Sequence, residues 1–106
     1  SGARIFVIDD DPTARELLVE ALQKEGHAVE SFSDGSGAIT RGKEVPVDLV
    51  LTDIRMEGTD GLTVLKEFKR FSPDTSIVLL TAFGSLEGAI EAIKQGAYDY
   101  LAKPFK

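Results

Sequence analysis

Ile5-Phe6-Val7-Ile8-Asp9-Asp10-Asp11-Pro12 is the stretch on which the fold turns: an unbroken apolar run stops at three carboxylates and a proline. A short, continuous apolar run is the pattern of a strand covered on both faces, as in a parallel sheet. Asp11 can then cap a helix whose first turn holds Pro12. Ala14, Leu17, Leu18, Ala21 and Leu22 recur at helical spacing after it, and Gly26 ends the helix.

The same alternation repeats along the chain. Apolar runs recur at Ala28 to Phe32, Val47 to Leu51, Ile77 to Leu80 and Tyr98 to Ala102. Between them the spacing predicts a second helix from about Gly35 to Arg41, weakened by its two glycines. A firmer third follows Gly61 with Leu62, Leu65, Phe68 and Lys69. The fourth is capped by Ser85, continues through Ala89, Ile90, Ala92 and Ile93, and stops at Gly96. Each crossover is long enough for a right-handed βαβ unit, so the expected fold class is α/β, a doubly wound parallel sheet. No linker, repeat or low-complexity tract interrupts residues 1–106, which read as one domain.

The sequence ends two residues after Pro104, whereas an alternating fold of this kind normally closes with a helix beside the first one. Leaving roughly 400 Å² of apolar surface bare would forfeit about 10 kcal/mol at about 25 cal/mol per Å². The expectation is that further chain or a partner covers that face.

Composition narrows the function classes. The apolar share of 42% and charged share of 28% suit a globular domain. Eighteen acidic against 12 basic residues give a net charge of −6, which disfavours direct binding to nucleic acid. Cysteine is absent, so thiolate metal sites and disulfides are excluded, as suits a cytoplasmic protein. No apolar run approaches the roughly 20 residues that span a bilayer, and no membrane association is expected.

In an open parallel sheet, ligands bind beyond the carboxyl ends of the strands, where the strand order reverses. The residues placed there are Asp9 and Asp10, Asp53, Thr81 and Lys103. Two carboxylates about 4 Å apart repel by roughly 4 kcal/mol at the effective dielectric of a protein surface. A divalent cation relieves that repulsion, and an all-oxygen donor set suits Mg²⁺. A carboxylate can also attack phosphorus, with the cation and Lys103 offsetting charge. The Thr81 hydroxyl can donate to a phosphoryl oxygen, and small Ala82 leaves access beside it. A cis Lys103–Pro104 bond would aim the ammonium inward. His27, just past a helix carboxyl end, reads as a favourable charge at that end.

With these residues in place, the chain resembles the receiver domain of bacterial two-component response regulators over nearly its whole length. The motifs are Val7-Ile8-Asp9-Asp10-Asp11, Asp53-Ile54-Arg55-Met56, Thr81-Ala82 and Lys103-Pro104-Phe105. The resemblance implies a five-stranded sheet of flavodoxin-like order 2-1-3-4-5. It implies that Asp53 accepts a phosphoryl group from a histidine kinase. Mg²⁺ would be held by Asp10 and Asp53, with Asp9 assisting through water and the Arg55 backbone carbonyl completing the site, and Thr81 and Lys103 would hold the phosphoryl group. Thr81 and Tyr100 would form the switch, remodelling the surface of the fourth helix and fifth strand, where a homodimer forms on phosphorylation. The stretches Thr81 to Ser85 and Gly96 to Tyr100 further resemble the subgroup attached to sigma-54-dependent, enhancer-binding activators, whose output is an ATPase and a DNA-binding domain. Two departures stand out: Glu57 where the family usually has proline, and the absent terminal helix.

Two rival readings use the same residues. Asp9-Asp10-Asp11-Pro12-Thr13 fits the D-x-D-x-T pattern of haloacid-dehalogenase-like phosphatases, with Asp9 as nucleophile and Asp11 as acid/base. A receiver that works as a phosphorylation-independent interaction module is the other.

Overall fold

A computed structural model describes residues 2–54, 56, 58–81 and 86–102, the side chains of residues 86, 88 and 89 excepted. Five strands alternate with four helices: β1 (Arg4–Ile8), α1 (Pro12–Lys24), β2 (Ala28–Phe32), α2 (Gly35–Gly42), β3 (Leu49–Asp53), α3 (Gly61–Phe71), β4 (Ser76–Thr81), α4 (Leu86–Lys94) and β5 (Asp99–Ala102). The sheet is wholly parallel in the order β2-β1-β3-β4-β5. The chain winds outward from β1 to β2 and then from β3 to β5, so the order reverses between β1 and β3, the place where such sheets bind ligands.

The three central strands owe their position to composition. β1, β3 and β4 are almost entirely buried, which only unbroken apolar runs such as Phe6-Val7-Ile8 tolerate. On one face Phe6, Ile8, Val50, Ile77 and Leu79 pack with Ala38 of α2, Val64, Leu65 and Phe68 of α3, and Ala92 of α4. Phe6 meets Phe32 and Phe68 edge-on, with ring centroids 4.9 and 6.4 Å away. On the other face Ile5, Val7, Leu51, Val78 and Leu80 pack with Leu18, Val19 and Leu22 of α1. Among the described residues, α1 is the only helix on that face, and Leu101 of β5, in register with Leu80, is 44% exposed.

Local sequence explains the helix ends. The Asp11, Asp34 and Asp60 side chains accept from the amides of Thr13, Ser36 and Thr63 and so cap α1, α2 and α3. Gly26 and Gly96 follow α1 and α4 at φ of 90° and 108°, where a side chain would be strained. α2 forms in full despite its glycines. Ala38 anchors it, and a Cβ on Gly35 would lie 2.4 Å from Val64 and 2.9 Å from the Thr59 carbonyl. Gly35 is therefore a close-approach position whose packing outweighs its weak helix propensity.

Strand boundaries shift by one or two residues from the apolar runs. Val47 and Asp48 precede β3 because they close the turns around it. The Val47 carbonyl accepts from the buried Thr75 hydroxyl at 2.8 Å, and the Asp48 carboxylate accepts from the Arg4 amide at 2.8 Å. Tyr98 lies just before β5 and is 75% exposed, although its amide bonds the Ile77 carbonyl. His27 has a second role beside the one expected at a helix end. Its Nδ1 accepts from the Ala3 amide at 3.0 Å and ties the start of β1 to the start of β2.

Candidate functional site

The site begins where β1 runs out. The Asp9 amide donates to the Phe32 carbonyl of β2 at 3.1 Å, extending the β1–β2 ladder by one residue. The Asp9 side chain turns back to accept from the Asp11 amide at 2.9 Å, and Asp11 in turn caps α1. The passage from strand to helix is thus made by two aspartates bonding local backbone amides, a habit of this side chain. Between them stands Asp10, held on both sides and itself exposed.

Asp53 arrives from β3. Ile8 pairs with Thr52, so one further residue along each strand brings Asp9 and Asp53 to the same rim. One carboxylate oxygen each of Asp9, Asp10 and Asp53 lies within 4.8 Å of the others. The three differ in access: Asp9 is fully buried, Asp53 partly buried and Asp10 exposed. An all-carboxylate donor set this tight matches the oxygen preference of Mg²⁺, and the residues fit such an ion.

The backbone beside Asp53 is fixed more tightly than its sequence suggests. The buried Thr52 hydroxyl donates to the Asp53 carbonyl at 3.0 Å. The Ile54 amide donates to Leu80 of β4, and the Ile54 carbonyl accepts from the Gly61 amide at 3.0 Å. A Cβ on Gly61 would stand 2.2 Å from that same Asp53 carbonyl, so α3 can start this close to the rim only with glycine there. The loop from Asp53 to α3 is also tied to α2, through the Gly35 amide and the Thr59 carbonyl at 3.1 Å.

Thr81 ends β4 and is 4% exposed. Leu79 pairs with Tyr100 and Thr81 with Ala102, so strand alternation places Thr81 and Tyr100 on the same face, diagonal neighbours across two strands. Tyr100 is partly buried against the three-helix core. Lys103, Arg55 and Ala82, the expected Ser85 cap of α4 and the expected cis Lys103–Pro104 bond lie outside the described residues. Four expected site residues thus come to one rim: Asp9, Asp10, Asp53 and Thr81.

Sequence reasoning passed over Thr52, Gly61 and Arg15. Arg15 Nη1 donates to the Asp9 carbonyl at 2.7 Å. Its signal was a cation in the opening turns of α1, where the helix dipole disfavours one, a few residues after three aspartates.

A doubly wound parallel sheet with three carboxylates at its switch point defines a class of phosphate- and metal-handling α/β domains. The response regulator receiver domain family matches residues 5–106, and the chain belongs to that family. It is 42% identical over 100 residues to the transcriptional regulatory protein ZraR of Klebsiella oxytoca, covering 94% of this chain and 23% of that one. To the DNA-binding transcriptional regulator NtrC of Salmonella typhimurium it is 39% identical over 101 residues, covering 95% of this chain and 22% of that one. The chain thus spans under a quarter of the length of these curated relatives. Among solved structures, the receiver domain of NtrX from Brucella abortus superposes with a TM-score of 0.91 at 36% identity, covering 96% of this chain and 87% of that one. A receiver domain protein from Clostridium thermocellum gives 0.92 at 34% identity, covering 98% of this chain and 84% of that one.

Proposed function

We propose that residues 1–106 form a phospho-acceptor switch in which Asp53 takes a phosphoryl group from a phosphohistidine of a histidine kinase. The carrying observation is the graded access of the three clustered carboxylates. Asp9, fully buried, is poorly placed to meet an incoming phosphorus, whereas Asp53 is partly exposed at the end of a central strand. This favours Asp53 over Asp9 and weighs against the phosphatase reading.

In the step itself, an Asp53 carboxylate oxygen attacks phosphorus, the phosphorus–nitrogen bond breaks, and the histidine nitrogen leaves with the bonding pair and takes up a proton. Asp9, Asp10 and Asp53, with the Arg55 carbonyl, would hold Mg²⁺, which when bound offsets the charge of the phosphoryl group. Thr81 would donate its hydroxyl to a phosphoryl oxygen and Lys103 would pair with another. Drawing Thr81 toward the phosphoryl group leaves space on its own face, and Tyr100, its diagonal neighbour there, can move into it. That motion biases two arrangements of the α4–β5 surface.

This surface carries exposed Ile90, Ile93 and Tyr98, a patch suited to a second copy of the chain on phosphorylation. The relatives are named as transcriptional regulators, one of them DNA-binding. From the resemblance to the sigma-54-dependent activators we further propose an output domain, an ATPase acting with sigma-54 and a DNA reader, in the same full-length protein, working in the cytoplasm. Among the described residues no helix is long and apolar enough to cross a membrane.

Acyl-phosphate trapping tests the reading. Incubation with acetyl phosphate and Mg²⁺, followed by peptide mapping, should label Asp53, and Asp53→Asn should take up no label. Label on Asp9 would transfer the case to the phosphatase. No label together with no Mg²⁺ binding would favour the phosphorylation-independent interaction module.

A further inference from the structure

We propose that Arg15 is a positioning residue for the cation site: it pins the peptide between Asp9 and Asp10 and so holds Asp10 toward Asp53. The inference rests on the reading of Asp9, Asp10 and Asp53 as ligands.

Several backbone groups of this turn are held by β2 and by the aspartate side chains, and the Asp9 carbonyl is met from α1. The Asp9 amide bonds Phe32 on β2, and the Asp11 amide bonds the Asp9 side chain. The Asp11 carboxylate and carbonyl accept from Thr13 and Arg15 amides, as a helix start requires. Arg15 Nη1 closes the turn by reaching back six residues to the Asp9 carbonyl at 2.7 Å, a charge-assisted contact in a partly buried setting. Rotation of that peptide would swing the Asp10 carboxylate, the exposed member of the cluster, out of the 4.8 Å group.

The location sharpens the point. Arg15 sits near the amino end of α1, where the helix dipole disfavours a cation, and α1 has no acidic residue in its first turn to offset it. Its guanidinium is also a like charge to any ion bound by the carboxylates. Charge alone therefore predicts that removing Arg15 tightens Mg²⁺ binding. Positioning predicts the opposite, and groups that orient metal ligands commonly matter by tenfold or more.

The two effects are separated by titrating Mg²⁺ alone into ¹⁵N-labelled wild type, Arg15→Ala, Arg15→Lys and the control Arg70→Ala, reading backbone amide shifts of residues 9–11. Arg15→Ala should weaken Mg²⁺ about tenfold, Arg15→Lys, which keeps a charged donor of similar reach, should recover most of the loss, and Arg70→Ala should bind as wild type does. In metal-free protein the Asp11 amide should exchange with solvent several-fold faster in Arg15→Ala only. Unchanged or tighter Mg²⁺ binding by Arg15→Ala, or a loss that Arg15→Lys does not recover, overturns the inference while leaving the receiver reading intact. Failure of the wild type to bind Mg²⁺ at millimolar concentrations overturns both the inference and the phospho-acceptor reading.

Discussion

Among the described residues, the two faces of the sheet are covered differently. Under α2, α3 and α4 the core is aromatic and sealed: Phe6 and Phe68 are fully buried, and α3 alone buries Gly61, Val64, Leu65 and Phe68. Under α1 the sheet contributes branched aliphatic residues, but no residue of α1 itself is fully buried, and Leu17 is 61% exposed. The placement of α1 therefore depends heavily on the bonds at its amino end, from Asp9, Asp11 and Arg15.

Cutting into the sealed face should produce the largest effect. Phe68→Ala removes a fully buried ring in contact with Phe6 and Phe71 and should cost about 3–5 kcal/mol, measured by urea denaturation. A loss below about 1 kcal/mol would erase the contrast between the faces. On the thinner face, Leu22→Ala truncates a half-buried side chain and should cost about 1–2 kcal/mol, below the range for a sealed core. Leu17→Gln, on the outside of the same helix, should stay within about 0.5 kcal/mol. If Leu22→Ala matched Phe68→Ala, α1 would be as firmly packed as α3.

The smallest effect tests the polar ends of the better-packed side. The Asp34 carboxyl is held below its ordinary value by the Ser36 hydroxyl first and the Ser36 amide next. A carboxyl depressed on folding contributes stability that is present above its unfolded value and lost as pH falls through its folded one. The melting temperature of Asp34→Ala should accordingly lie below that of wild type at neutral pH, and the gap should narrow below about pH 4. A gap that widens in acid would show that the cap works through something other than its charge.

Much of this was legible before folding. The alternation of apolar runs with helical stretches gave the nine elements found among the described residues, with strand boundaries displaced by at most a residue or two, as at Val47 and Tyr98. The capping aspartates Asp11, Asp34 and Asp60 are local signals, since a side chain that bonds an amide two or three residues away needs no partner from elsewhere. The clustering of Asp9, Asp10 and Asp53 followed from strand ends meeting at a switch point. The His27 bond was not legible for the complementary reason: its partner, Ala3, is 24 residues away and comes within reach only when β1 and β2 pair.

By itself, then, the sequence determined which residues are strands, which are helices, and which carboxylates share a rim, because periodicity and capping are written within a few neighbouring positions. Only the tertiary structure decided which glycines are obligatory, that α2 survives its poor propensity, and that Arg15 reaches the Asp9 carbonyl. Those outcomes depend on approaches so close that an added Cβ would stand 2.2 Å from the Asp53 carbonyl at Gly61, or 2.9 Å from the Thr59 carbonyl at Gly35. Such distances come into being only when the core closes, and no local pattern encodes them.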